Sequence, residues 1–346
     1  MHRTRIVRVG TVPIGGDEPI SIQSMWKERL DRIDPNLLRR IEKLSDLGCD
    51  LLRFAVPDLE TAEVLGKLSR EVAMPLIADI HFDYKIALRC MDFTIAKIRI
   101  NPGNIGAPWK VKEVIQKAKD RGLPLRIGVN AGSLPRKLRE EKDVASAMVK
   151  AAEQELEILS SLDFHNVIFS LKSSGIESTI SANLAFASKY DYPLHLGITE
   201  AGPLIPGIVR NTIGLHRLLQ AGLGNTVRIS LSEEPESEIM AAREILAAEN
   251  KYNRGVKIIA CPKCGRSSFD VHSFLQEAGE FLYSVKKNIT VAIMGCVVNG
   301  PEEARHVDIG ITGAGKEVII FKHGAIIHKI RPEKAFETFK EEIENL

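Results

Sequence analysis

Apolar residues recur along this chain in two alternating rhythms. Short runs at 21–25, 51–56, 75–80, 95–100, 125–129, 166–171, 194–198 and 227–231 are almost continuously apolar and read as strands buried on both faces. Between them, apolar positions return at helical spacing. Asp34-Pro35 pairs an N-cap with proline at the first helical position, and Leu38, Ile41, Leu44 and Leu47 follow on one face. Asp58 caps a second helix carrying Leu65, Leu68 and Val72, and similar patterns cover 108–121, 142–161, 175–189 and 204–221. Eight strand-then-helix units in succession predict a (β/α)8 TIM-type barrel, in the α/β class. No G-x-G-x-x-G follows any strand, which disfavours a dinucleotide-binding sheet. Ahead of the barrel, apolar stretches around a turn at Gly15, Gly16 and Asp17 predict a hairpin.

The rhythm breaks at Ser232-Glu233-Glu234-Pro235. A helix with Ile239, Ala242, Ile245 and Leu246 follows, then strands at 289–294, 307–311, 317–321 and 325–330 with little helix between the last of them. This order predicts a smaller α+β domain with an antiparallel or mixed sheet. The expected domains are 1–235 and 236–346.

With 47 Lys and Arg against 45 Asp and Glu, the net charge of +2 excludes a globally basic nucleic-acid binder. No apolar run is long enough to cross a membrane. The basic first residues lack the apolar core of a signal peptide, and the five cysteines are odd in number, so a cytoplasmic, reducing setting is expected.

Three of those cysteines gather in one region. Cys261 and Cys264 form a C-x-x-C turn with Pro262 and Gly265, and Cys296 follows an apolar strand in MGCVVNGPEEA. Three thiolates make a metal or cluster site the first reading. A zinc ribbon needs a second C-x-x-C, which is absent. An iron–sulfur cluster on three cysteines leaves one iron for an oxygen ligand, and Glu303 is the candidate, with His272 and His306 as competitors on spacing. Structural zinc and plain buried thiols stay open on spacing alone. Cys49 and Cys90 read as core thiols, Trp26 and Trp109 as packing residues.

Charged residues fall at the strand ends where a barrel places its chemistry. They are Arg53, Asp79, His81, Lys97, Arg99, Arg126, Lys172, His195, Glu200 and Arg228, with Asn101, Asn130 and Ser230 among them. Five of the eight strands bring Lys or Arg, against few carboxylates, which predicts a site for a polyanion such as a diphosphate.

Taken together, CPKCGR, MGCVVNGP, LLRFAVPD, ADIHF, KIRINPGN, RIGVN, SLKSS, TEAG and VRISL resemble the 4-hydroxy-3-methylbut-2-en-1-yl diphosphate synthase (GcpE) family in its two-domain bacterial form, from about Arg5 to Gly313. The resemblance implies reductive ring opening and dehydroxylation of 2-C-methyl-D-erythritol 2,4-cyclodiphosphate, in the non-mevalonate isoprenoid pathway. It implies one [4Fe-4S] cluster on Cys261, Cys264, Cys296 and Glu303. It also implies substrate contacts from Arg53, His81, Arg99, Arg126, Asn130, Lys172, Arg228 and Ser230, and a proton from Glu200. A ferredoxin or flavodoxin would supply electrons, and a head-to-tail homodimer would bring Asn299 to the partner's substrate. Two positions depart from the family pattern: Glu302 replaces a glycine, and Trp26-Lys27 replace small polar residues. The competing enzyme class is a pteroate-synthase-like phosphate-binding transferase with structural zinc.

Overall fold

The computed structural model describes residues 3–262, 264–300 and 305–346. The chain divides into two compact units, one ending at Tyr252 and one spanning Asn253–Leu346.

The first unit opens with a hairpin of β1 (Val7–Val9) and β2 (Val12–Ile14). Its turn falls at Gly10 and Thr11, not at 15–17 as expected. The later glycines instead bend the chain past the backbone of Thr4, whose carbonyl accepts from Gly16 N at 3.1 Å. The barrel strands follow as β3 (Ser21–Met25), β4 (Leu51–Ala55), β5 (Leu76–Ile80), β6 (Lys97–Ile100), β7 (Leu125–Asn130), β8 (Val167–Lys172), β9 (His195–Leu196) and β10 (Thr226–Val227). All pair in parallel in the order β8-β7-β6-β5-β4-β3-β10-β9, and a bridge between Phe169 and Leu194 closes the ring. Asp34 and Asp58 cap their helices as expected, accepting from Leu37 N and Thr61 N at 2.9 and 2.8 Å.

Val7, Val9 and Ile14 of the hairpin pack on Leu51, Ile77, Ala96 and Ile168, which lie at the N-terminal ends of barrel strands. The hairpin therefore stoppers that end. Above this apolar layer the lumen turns polar. Gln23, Lys97, Arg126, Ser170, His195 and Thr226 are all buried there.

The helix Pro235–Ala248 belongs with the barrel, so the boundary expected at 235 moves to Tyr252. The reason is Glu238, which points inward and accepts from Ser24 Oγ at 2.9 Å.

Helix Val144–Ser161 carries Glu155, whose carboxyl burial alone pushes up to about 7. A raised carboxyl contributes stability that is complete below its unfolded value near ~4.3 and is lost as pH rises through about 7. Glu155→Gln is expected to match the wild type near pH ~4 and to exceed it by about 3 kcal/mol at pH ~8, measured by urea unfolding at both values.

The second unit is a five-stranded mixed sheet of β11 (Val256–Ala260), β12 (Ile289–Met294), β13 (Ile309–Ala314), β14 (Glu317–Lys322) and β15 (Ala325–Ile330). The first three run parallel and the last two antiparallel, the mixed form of the expected sheet. Helices Val271–Ser284 and Ala335–Glu344 cover it, with Phe274, Leu282, Phe339 and Ile343 in the core.

Candidate active site

The strand ends bring the expected cations together around one carboxylate. Asp79 on β5 accepts from Arg99 Nη1 at 2.9 Å and lies 3.6 Å from Arg53 Nε. Arg99 Nη1 also donates to His81 Nε2 at 2.8 Å. Burial pushes the Asp79 carboxyl upward, but Arg53, His81 and Arg99 overrule it and hold the group well below the usual carboxylate range. Gly128 makes room for this cluster, since a Cβ there would stand 2.9 Å from Arg99 Nε.

One carboxylate cannot neutralise the set. Arg126 is buried, and its Nε and Nη1 have no hydrogen-bond partner among the described residues. Burial lowers its pKa well below the ordinary arginine value, and Arg53 and Arg99 add to the effect. Arg53 falls to about 10 for the same first reason. Lys172 is buried and donates to Leu196 O at 3.2 Å; burial first, then Arg126 and Arg228, hold its pKa far down. Such an array is costly unless an anion completes it.

Arg228 is anchored by a residue that the sequence reading passed over. Its Nε and Nη2 donate to the two oxygens of Glu238 at 3.2 and 3.1 Å. Lys27 Nζ binds the same carboxylate at 2.6 Å and Leu231 O at 3.0 Å. Burial raises the Glu238 carboxyl, yet Arg228 and Lys27 outweigh it. The signal was present: Glu238 shares a helix face with Ala242 and Ile245, where a charge is out of place. Lys27, a departure from the family pattern, thus supports Arg228. Its neighbour Trp26 stacks on Phe54 with centroids 5.8 Å apart, as a packing residue should. Trp109 is more exposed than expected and meets Tyr84 edge-on at 5.4 Å.

Asn130 ends β7, Ser230 follows β10, and Asn101 donates to Ser133 Oγ at 2.7 Å. Glu200 is exposed and sits at φ 53°, a left-handed backbone that costs a non-glycine residue on the order of 1 kcal/mol. Strain of this kind concentrates where a side chain must be aimed.

In the second unit, Cys261 follows β11 and Cys296 follows the adjacent parallel strand β12, so both leave the same sheet end. Cys261 Sγ accepts from Gly295 N at 3.0 Å. The loop after Cys264 returns to this point, with Ser268 N donating to Gly295 O at 2.8 Å. A Cβ on Gly295 would stand 2.3 Å from Ser267 Oγ and 3.5 Å from Cys261 Sγ, so only glycine lets the loop close here. The Arg266 backbone amide, aided by the Arg266 charge, holds the Cys264 thiol below its ordinary value. These features fit thiolate ligands. Among the described residues no three His, Cys, Asp or Glu side chains stand grouped as metal ligands. Glu303, Glu302 and the Asn299 side chain lie outside the described residues. His272 is exposed and pairs with Gln276 at 3.1 Å. Cys49 and Cys90 are buried, and burial pushes both thiols up to about 12, as inert core residues.

Fold and site define a (β/α)8 barrel with a cluster of cations at its strand ends, joined to a smaller cysteine-bearing domain. The comparisons take this further. Residues 4–243 match the family model described as the GcpE TIM-barrel domain, and residues 257–345 match the GcpE protein C-terminal domain. The chain belongs to the GcpE family. A Treponema denticola protein named 4-hydroxy-3-methylbut-2-en-1-yl diphosphate synthase (flavodoxin) is 49% identical over 96% of this chain and 92% of its own length. Proteins of the same name from Thermodesulfovibrio yellowstonii and Clostridium tetani are 46% and 44% identical, covering 99% and 98% of this chain and 98% of each relative. Among solved structures, Yersinia pestis dihydropteroate synthase aligns with a TM-score of 0.51 at 11% identity, over 71% of this chain and 97% of that one. A sialic acid synthetase from Leptospira borgpetersenii aligns at 0.52 and 15% identity, over 81% and 97%. These two share the barrel fold. The transferase alternative is not favoured, because both units match GcpE domains.

Proposed function

We infer that this chain opens the ring of 2-C-methyl-D-erythritol 2,4-cyclodiphosphate and releases 4-hydroxy-3-methylbut-2-en-1-yl diphosphate and water, with electrons from a flavodoxin. The observation that carries the reading is the cluster of buried Arg53, Arg99, Arg126 and Lys172 with half-buried Arg228, five cations against two carboxylates, Asp79 and Glu238, at the mouth of a GcpE-family barrel. The relatives carry flavodoxin in their names, which favours it over ferredoxin as donor.

Arginines and lysine bind the two phosphates, and Arg126, with two unpartnered N–H groups, gains most from them. Asp79 and Glu238 hold Arg99 and Arg228 in place, so little reorganisation accompanies binding. Ring opening turns a bridging phosphate into a leaving group, whose added charge these cations meet. His81 stands at the rim and Glu200 supplies a proton to the departing hydroxyl. Asn130 and Ser230 add hydrogen bonds. Cys261, Cys264, Cys296 and Glu303 would hold a [4Fe-4S] cluster, which would relay the donor's two electrons one at a time and present a Lewis-acid iron. The Gly295 amide supports Cys261 as one of its thiolates. The chain works as a head-to-tail homodimer in which Asn299 of one protomer reaches the substrate of its partner; exposed Val297 and Val298 beside it favour a covered surface. A cytoplasmic setting fits, and no helix is long and apolar enough to cross a membrane.

Protein purified without oxygen is expected to hold near-equal iron and sulfide, about four of each per chain, and to convert the cyclodiphosphate with reduced flavodoxin. One zinc and no sulfide after anaerobic reconstitution would overturn the redox reading. Glu238→Gln is expected to free Arg228, raise KM about tenfold and lower the melting temperature by several degrees, because a buried charge loses its partner. Steady-state kinetics and calorimetry on the same preparation check both.

A further inference from the structure

One lumen residue has no place in the substrate contacts above. Lys97 opens β6 and is 0% exposed. Its Nζ has no hydrogen-bond partner among the described residues. The charged and titratable groups that act on it are Arg53 on β4, Arg126 on β7 and His195 on β9. None is a carboxylate. Asp79 is engaged by Arg99 and lies beside Arg53. His195 Nδ1 pairs with Thr226 Oγ1 at 3.3 Å, and its Nε2 is also without a partner. Below this layer the lumen is apolar and closed by the hairpin. An amine in that position is not a structural convenience, since a leucine or methionine would fill the same layer more cheaply.

We propose that Lys97 is a positioning residue for the diphosphate: it takes up a proton as the anion seats on Arg53 and Arg126, and its charge completes the cation ring from beneath. The inference rests on the cyclodiphosphate being the substrate. In the free protein, burial and the two arginines hold Lys97 far below the ordinary lysine value, and its amine has no acceptor among the described residues to favour the ammonium form. An arriving anion cancels the repulsion from Arg53 and Arg126 and favours the ammonium form. The charge balance of the reaction demands such a reserve. The cyclic substrate carries one strongly acidic group per phosphate and is a dianion. Taking two electrons and one proton and losing water leaves a trianion, so negative charge grows in the site. A protonated Lys97 meets that growth from the closed end of the barrel.

The test is calorimetric titration of the oxidised holoprotein with 2-C-methyl-D-erythritol 2,4-cyclodiphosphate, without reductant, at about pH 8 in buffers of differing ionisation enthalpy. The ligand does not titrate there, so any proton taken up belongs to the protein. Wild type is expected to absorb about one proton per ligand, and its log Kd to rise with pH with a slope near one. Lys97→Met is expected to bind more weakly, absorb almost none and lose the slope, while melting higher than wild type when unliganded. His195→Gln and Lys172→Arg are expected to keep the uptake, the latter because arginine replaces the other buried amine that is held low. Equal uptake by wild type and Lys97→Met, or loss of uptake in His195→Gln or in Lys172→Arg, would overturn the assignment. Should Lys97→Met not fold, a pH-independent wild-type Kd would overturn it equally. Binding without uptake in wild type defeats this inference alone, whereas no binding at all defeats the proposed substrate and the inference with it.

Discussion

Cys296→Ser is expected to reduce turnover to background and to strip iron and sulfide from about four per chain to near none. Cys296 is buried at the end of β12, next to the Gly295 amide that braces Cys261. A serine oxygen there is a hard, protonated ligand at neutral pH and replaces a thiolate poorly on iron. The barrel lies in a separate compact unit, so cyclodiphosphate binding and the far-UV spectrum are expected to persist. Turnover surviving without iron would remove the redox chemistry from the reading. Metal analysis and an anaerobic assay on one preparation decide it.

Arg126→Met is expected to act in opposite directions on binding and stability. Arg126 sits buried among Arg53, Arg99 and Arg228, and neither Nε nor Nη1 has a partner among the described residues. Replacing a buried, uncompensated charge with an apolar side chain of similar length relieves desolvation and repulsion. The unliganded variant is expected to melt about 2–6 °C higher. Its affinity for the cyclodiphosphate is expected to fall on the order of 100-fold, because the anion loses a two-point donor in a dry site. Iron content should stay unchanged. A variant that melts lower and binds normally would make Arg126 a structural residue. The trade marks a protein that holds its site against its own stability.

Much of this was legible in the chain. The strands from β3 to β8 fall within a residue or two of the apolar runs, because strands buried on both faces leave a continuous signal. The apolar runs at 194–198 and 227–231 extend past the ends of β9 and β10. Their last residues already leave the ladder to present side chains at the mouth, and apolarity does not record where pairing stops. The hairpin was legible but its turn was not, since three glycines within seven residues offered two places for it. The cation ring could be listed from strand ends, yet its anchors could not all be paired. Asp79 lies on the next strand and was visible. Glu238 comes from a helix beyond the expected boundary at 235, and only the fold brings it to Ser24, Lys27 and Arg228. The same contact moved the boundary to Tyr252. In the second unit, adjacency of β11 and β12 explains why cysteines far apart in sequence leave one sheet end.

The stopper formed by β1 and β2 makes the lumen a cul-de-sac. Whatever reaches the cations, whether reactant, product or solvent, passes the same doorway, and a molecule inside bars the next. Departure of the trianionic product therefore gates the following cycle, and simple diphosphates should compete with the cyclic reactant instead of binding alongside it. For inhibitor chemistry, the space to grow a compound lies outward past His81 and Glu200, never inward past Lys97.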